Sequence, residues 1–400
     1  MVEPPGPGAA QRRVPAMARM PAMARMPAMA RMPALARMPA LARMPALARM
    51  VVGADLGGTK LAAVLVDGAH TVVHRIWLDR PGAGLAALVV ALEAAVAECQ
   101  VVAAGLGGEV GAVGLAVAGW LSADREHLVW GANLAARDHE LGAELRGRLQ
   151  VPVVIENDGN ATALGEFRAA GLGQGCMAVF TFGTGVGGGV IVDGTPLIGA
   201  RGLAGELGHI PVTDGGGPCI CGGRGCLELL TSGPGLARAG GTSSSFEVVA
   251  AARAGDAGAL RVLSTAGRAI GRAAAVLVAV VDPDIVVLAG SLAHAAGEYL
   301  LPAARSALAE DRPLRAVRPP PPIELGRLGR DAGAIGAAEL VLDAPAPSSV
   351  RRAGHPRPAP TAEEPAVDHM GLEHMPAEHM PAEHMPAEHM PAEHMPGGTR

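Results

Sequence analysis

The sequence predicts an α/β protein built as two related lobes facing a shared crevice, and three observations carry that expectation. Short apolar strands and helical stretches alternate twice between Val51 and Asp343, and a glycine-rich turn joins neighbouring strands in each half. A hydrophobic fraction of 50% over 400 residues can bury one large core or two moderate ones; with aromatics at 2%, that core must rest on Ala, Val and Leu. The stretch CICGGRGC places Cys219, Cys221 and Cys226 within eight residues, and His209 lies ten residues upstream. One imidazole and three thiolates suit a closed tetrahedral zinc site; a disulfide hairpin is the alternative.

The elements follow in order. Residues 51–56, 61–66 and 71–78 read as three short strands joined by Gly-rich and Asp-Gly turns, an antiparallel start. Helical spacing over 85–99 is followed by a strand at 111–118, a helix at 141–149 and a strand at 152–155. A helix at 158–170 then carries an acid in its first turn. Residues 176–182 and 187–192 form a second hairpin around a glycine loop; a long helix at 257–281, a buried strand at 285–288 and a last helix at 332–342 complete the pattern. The expected division is a small lobe over 51–138 with 331–343, and a large lobe over 139–330 that holds the cysteine loop.

Both ends are repetitive. Pro recurs with period six up to Met50 and with period five in the His-Met-Pro-Ala-Glu tail. Such spacing interrupts helix hydrogen bonding in nearly every turn, so 1–50 and 344–400 are expected to be disordered arms. Met50 as the true start is the other reading of the first repeat. A net charge of −5 gives no electrostatic case for a nucleic-acid partner. The longest apolar run, 273–281, is about half the ~20 residues a bilayer span needs, so no membrane partner is expected. No leader is visible, and an odd count of five cysteines argues against disulfides; the expected location is cytoplasmic.

Four segments carry chemistry. In Asp55-Leu-Gly57-Gly58-Thr59-Lys60, adjacent glycines open backbone N–H groups to phosphate oxygens, Thr59 adds a hydroxyl, and Lys60, the chain's one lysine, adds charge. Asp55 at the strand end can hold Mg²⁺ through water. Gly-Gly-Thr alone is a commonplace turn, but Gly183-Thr184-Gly185 offers the same chemistry from the second hairpin. Neither is a Walker loop or a dinucleotide fingerprint, because strand rather than helix follows the glycines. In Glu156-Asn157-Asp158-Gly159-Asn160, a strand end delivers Asn157 and Asp158 to a helix start. An N-cap explains one of them; a carboxylate that accepts a hydroxyl proton while Asn157 orients the alcohol explains both. The closed cysteine–histidine shell would be structural, and would hold Glu206 and Glu228 against the vicinal hydroxyls of a sugar. Lastly, Gly290 follows a buried strand, where a nucleotide can pack on backbone, although many strands end in Gly.

These pieces, in this order, resemble the ROK family of repressors, open-frame proteins and sugar kinases, within the actin-like ATPase (ribonuclease H-like) fold. The matching stretches are GADLGGTK at 53–60, VVIENDGNATALGE at 153–166, FGTGVGGGV at 182–190, GELGHI at 205–210, CICGGRGCLE at 219–228 and DPDIVVLAG at 282–290. The likeness is greatest to the family's bacterial glucokinases. It implies Asp158 as general base on a hexose 6-hydroxyl, with Asn157, Glu206, His209 and Glu228 binding the sugar. His209 would also ligate zinc with Cys219, Cys221 and Cys226, while Gly57, Gly58, Thr59 and the 183–185 loop hold ATP. Two departures stand out: Ala289 where glycine is usual, and Gly159 in place of alanine, expected to loosen the helix start. The implied activity is ATP- and Mg²⁺-dependent hexose phosphorylation, glucose first, by a homodimer or higher homo-oligomer. A sugar-responsive repressor or an N-acetylhexosamine kinase is the alternative; the Pro-interrupted segment before Val51 argues against a helix-turn-helix.

Overall fold

A computed structural model of the chain describes residues 49–57, 60–79, 84–313 and 316–342. The N-terminal repeat up to residue 48, the tail from 343, and Gly58 and Thr59 of the first glycine turn lie outside the described residues. The first sheet begins with β1 (Arg49–Leu56), β2 (Lys60–Val66) and β3 (Val72–Asp79), paired antiparallel as expected. β1 starts two residues inside the expected arm, because Met50 is buried and a bulge between Met50 and Val51 absorbs the register shift against the next strand. That strand, β4 (Glu109–Val117), runs parallel to β1. β5 (Trp120–Leu121), β6 (Leu128–Gly131) and β7 (Ala136–His139) then form a small antiparallel sheet that the sequence pattern did not reveal. β8 (Val153–Asn157) returns to pair in parallel with β4 and completes the order β3-β2-β1-β4-β8. Residues 153–157, part of the expected large lobe over 139–330, ladder with the first sheet instead.

β9 (Cys176–Phe182) and β10 (Val186–Val192) form the second glycine hairpin, flanked by β11 (Thr195–Pro196) on one side and by β12 (Ile285–Ala289) and β13 (Ile323–Leu325) on the other. The helices are α1 (Gly84–Gly105), α2 (Leu141–Leu149), α3 (Asp158–Ala169), α4 (Glu228–Thr231), α5 (Gly233–Gly240), α6 (Ser245–Arg253), α7 (Ala257–Val280), α8 (Ser291–Asp311) and α9 (Ala332–Leu342).

Strand alternation assigns each side chain to a layer. Val52, Ala54 and Leu56 of β1 join the core under α1, whereas Val51 faces the layer that holds α3 and α9. Asp55 falls on that same inner face, beside Gly333 of α9. In the second sheet Ala178 and Phe180 pack outward on α7 and α8, and Met177 and Val179 pack inward on α3. One apolar layer containing α3 and α9 therefore lies between the two sheets. α1 and α7 are each long and apolar enough to cross a bilayer, yet each buries one side in these cores.

The middle layer has no room for side chains where backbones meet. A Cβ at Gly336 of α9 would fall 1.7 Å from the Ala161 carbonyl oxygen of α3, and one at Gly114 would fall 1.7 Å from that of Ala337. Gly336→Ala raises helix propensity by about 1 kcal/mol, but overpacking against backbone costs about 1–3 kcal/mol or more. Because the obstacle is a main-chain oxygen, the second effect is expected to win and lower Tm. A thermal melt that is unchanged or raised contradicts this packing.

Candidate functional site

Asp158 opens α3 where β8 ends, and its neighbours fix its orientation. Asn157 is the N-cap: its Oδ1 accepts the N–H groups of Gly159 and Asn160 at 2.9 and 3.2 Å. Its Nδ2 donates to the Gly119 carbonyl at 3.2 Å and to Asp158 Oδ1 at 3.1 Å. Asn157 therefore caps the helix and steers Asp158, its acceptor and both donor hydrogens engaged within the protein. Asp158 Oδ1 also accepts its neighbour's N–H, from Gly159 at 2.9 Å, which leaves Oδ2 as the oxygen for a ligand. Glycine at 159, expected to loosen the helix start, instead lets it seat against β10, since a Cβ there would fall 2.2 Å from the Gly188 oxygen.

Carboxylates converge on this point. Burial pushes the Asp158 carboxyl up to about 7, with the charge of Asp55 adding most and that of Glu206 adding less. Burial also raises Asp55, against the pull of Lys60, whose Nζ lies 3.9 Å from Asp55 Oδ2. Glu206 is raised by burial and by Glu228, against the charge of His209 and a hydrogen bond with Trp120. Glu228 is anchored to the second glycine hairpin, its Oε2 accepting the Val186 N–H at 2.8 Å beside Gly185. Asp55, Asp158, Glu206 and Glu228 therefore form one electrostatically linked row from the end of β1 to the start of α4.

The cysteine loop sets the far end of that row. The ligand atoms of His209, Cys219, Cys221 and Cys226 all lie within 4.8 Å of one another. Cys221 and Cys226 sulfurs are 3.7 Å apart, and Cys219 Sγ is 3.6 Å from His209 Nδ1. A tetrahedron with metal–sulfur bonds of about 2.3 Å has edges of about 3.8 Å, whereas a disulfide needs about 2.05 Å. The four residues fit a metal, and the disulfide alternative fails. Burial pushes the Cys226 thiol up to about 12 and raises Cys219 as well, so neighbouring thiolates here need a cation among them. Gly222, at φ 86°, turns the chain back between the ligands. Val212 donates to Gly225 and Leu227 to Ile210 at 2.9 Å each, so the two arms of the loop pair and bring His209 alongside Glu228.

Of the expected nucleotide residues, Gly57 makes the tight turn, its N–H donating to the Lys60 carbonyl at 3.0 Å. A Cβ at Gly183 would meet nothing within 4 Å, so the space against that backbone is open. Thr184 is exposed, and the Gly183 carbonyl accepts the Gly233 N–H at 2.8 Å, tying the loop to the start of α5. Gly290 has φ 93°, and a Cβ there would fall 2.4 Å from the Phe182 oxygen. The fold itself demands that glycine, which stands next to the same loop.

Two residues at the site belong to no motif. Trp120 reaches Glu206 and packs edge-to-face on Trp130, with ring centroids 4.8 Å apart. Arg125, buried in the β5–β6 turn, lies 2.7 Å from Glu156 Oε1. Both belong to the small sheet, so no local pattern marked them.

The ROK family model matches residues 51–344. The glucokinase of Halalkalibacterium halodurans is 35% identical over 250 residues, 57% of this chain and 75% of that protein. The N-acetylmannosamine kinase of Yersinia pseudotuberculosis is 33% identical over 289 residues, 71% of this chain and 95% of its own length. The crystal structure of a ROK glucokinase from Streptomyces griseus, in complex with glucose and AMPPNP, superposes with a TM-score of 0.64 at 31% identity, covering 73% of this chain and 98% of that one. Two five-stranded sheets around one helical layer, the linked carboxylates and the cysteine–histidine loop agree with that match: the chain belongs to the ROK family.

Proposed function

We propose that the protein is an ATP- and Mg²⁺-dependent hexose kinase that phosphorylates the 6-hydroxyl of glucose or a closely related hexose, with Asp158 as the general base. The observation that carries this reading is the Asp158 carboxylate, held through Oδ1, raised toward neutrality and set between Asp55 and Glu206. A base near pH 7 can take a hydroxyl proton as the oxygen attacks phosphorus, while positioning and charge neutralisation do most of the work of phosphoryl transfer. Asn157 acts by steering Asp158, and Glu206, Glu228 and the imidazole of His209 receive the sugar hydroxyls. Gly57, Gly58, Thr59, Lys60, the 183–185 turn and Gly290 receive ATP. Mg²⁺ would sit near Asp55 and neutralise phosphate charge. Zn²⁺ would be held by His209, Cys219, Cys221 and Cys226 as a structural clamp, a role that implies a reducing cytoplasm. Glucose leads because the glucokinase from S. griseus binds it; an N-acetylmannosamine kinase of similar identity supports the second reading.

ADP release across glucose, mannose, N-acetylglucosamine and N-acetylmannosamine, with and without Mg²⁺, tests the proposal. Mg²⁺-dependent turnover highest with glucose is expected. Preference for N-acetylmannosamine supports the second reading, and failure of all four sugars to stimulate ADP release sinks both.

A further inference from the structure

The β5–β6 turn carries a buried cation whose contacts reach its own turn and two distant segments. Arg125 is 2% exposed and Glu156 is 0% exposed at the side chain, with Nη2 and Oε1 2.7 Å apart. Arg125 Nη1 donates to the Ser122 carbonyl at 3.3 Å and to the Gly202 carbonyl at 3.1 Å. Glu156 Oε1 also accepts the Asn157 N–H at 2.9 Å and Asn160 Nδ2 at 3.1 Å. The approach is close enough that a Cβ at Gly202 would fall 2.8 Å from Arg125 Nη1. Arg125 itself has φ 61°, in the left-handed region that favours glycine.

Stability alone does not account for this pair. Desolvating two charges offsets most of their attraction, and well-packed apolar residues commonly serve as well. What an apolar pair cannot do is hold two carbonyls and a carboxylate at fixed spacing through one planar guanidinium. Gly202 lies four residues before Glu206, and Glu156 lies two residues before Asp158. We infer that Arg125 is a positioning residue for the sugar site: through Glu156 and the Gly202 carbonyl it sets the spacing between Asp158 and Glu206. The inference rests on the kinase reading above and extends it to a residue that touches neither substrate.

The test separates positioning from folding. Single removal of Arg125 leaves a buried carboxylate and is expected to destabilise the fold, so the informative variant is R125M/E156Q. It removes both charges, and the glutamine oxygen can still accept from Asn157 and Asn160. Expected are a Tm near wild type, a loss in kcat/KM for the hexose of about 10²-fold, an unchanged KM for ATP, and faster amide exchange over residues 199–206. A near-wild-type Tm together with wild-type kcat/KM and exchange overturns the inference. If R125M/E156Q fails to fold, R125K keeps the charge but not the fork; the same selective hexose loss is expected, and wild-type kinetics there overturn the inference. Should wild type itself phosphorylate no hexose, the kinase reading falls. Exchange over 199–206 then decides the clamp, faster exchange in either variant supporting it and unchanged exchange overturning it.

Discussion

Replacing Asp158 with asparagine is expected to lower kcat by about 10²–10⁴-fold while leaving the hexose Kd nearly unchanged, because a general base contributes to the transition state and little to ground-state binding. Asparagine keeps an oxygen for the Gly159 and Asn157 donors that hold Asp158 Oδ1, so the helix start should survive. The pH dependence has a definite sign. A carboxyl raised to about 7 must be charged to act, so kcat/KM in wild type should fall as pH drops below about 7, and Asp158→Asn should lose that acidic limb. Stability moves the other way. The folded pKa is raised above its unfolded value, so this group's contribution is fully present below the unfolded pKa and is lost as pH rises through about 7. The asparagine variant should therefore melt at a higher temperature than wild type at pH 8 and at a similar one at pH 4. Wild-type turnover in this variant, or an acidic limb that persists, removes Asp158 from the mechanism.

The second large effect concerns the metal loop. Cys219→Ser removes one of four ligand atoms that lie within 4.8 Å of each other, in a loop whose paired arms set Glu206 and Glu228. Loss of zinc from the purified variant, a lower Tm and a rise in hexose KM of at least about tenfold, near 1.4 kcal/mol, are expected, with the KM for ATP little changed. Elemental analysis with parallel kinetics checks all of this. Wild-type metal content together with an unchanged hexose KM would show that the loop neither holds the ion as described nor positions the glutamates.

The sequence displayed elements whose ends are punctuated locally. Helices Leu141–Leu149 and Ala332–Leu342 and strand Cys176–Phe182 begin and end where the residue pattern indicates. The cysteine–histidine set and the acids at 55, 158, 206 and 228 were visible because each sits in a distinctive run beside glycine or cysteine. Long-range relations were not visible. β8 reads as an isolated apolar strand, and only its ladder with β4 assigns it to the first sheet. The small sheet has strands of two to four residues, too short for alternation to register. α8 was hidden by Pro302 in its interior, and α5 by Gly233, Pro234 and Gly235 at its start. Arg125 looks like any charged residue in Ser-Ala-Asp-Arg-Glu-His; its burial exists only once Glu156 and Gly202 arrive from elsewhere.

The most direct test of the central claim is a crystal structure of the protein with glucose and a non-hydrolysable ATP analogue. The account predicts the sugar 6-oxygen within about 2.6–3.2 Å of Asp158 Oδ2, with other hydroxyls on Glu206 and Glu228. Glucose bound with its 6-oxygen turned away from Asp158, or held outside that row of carboxylates, contradicts it.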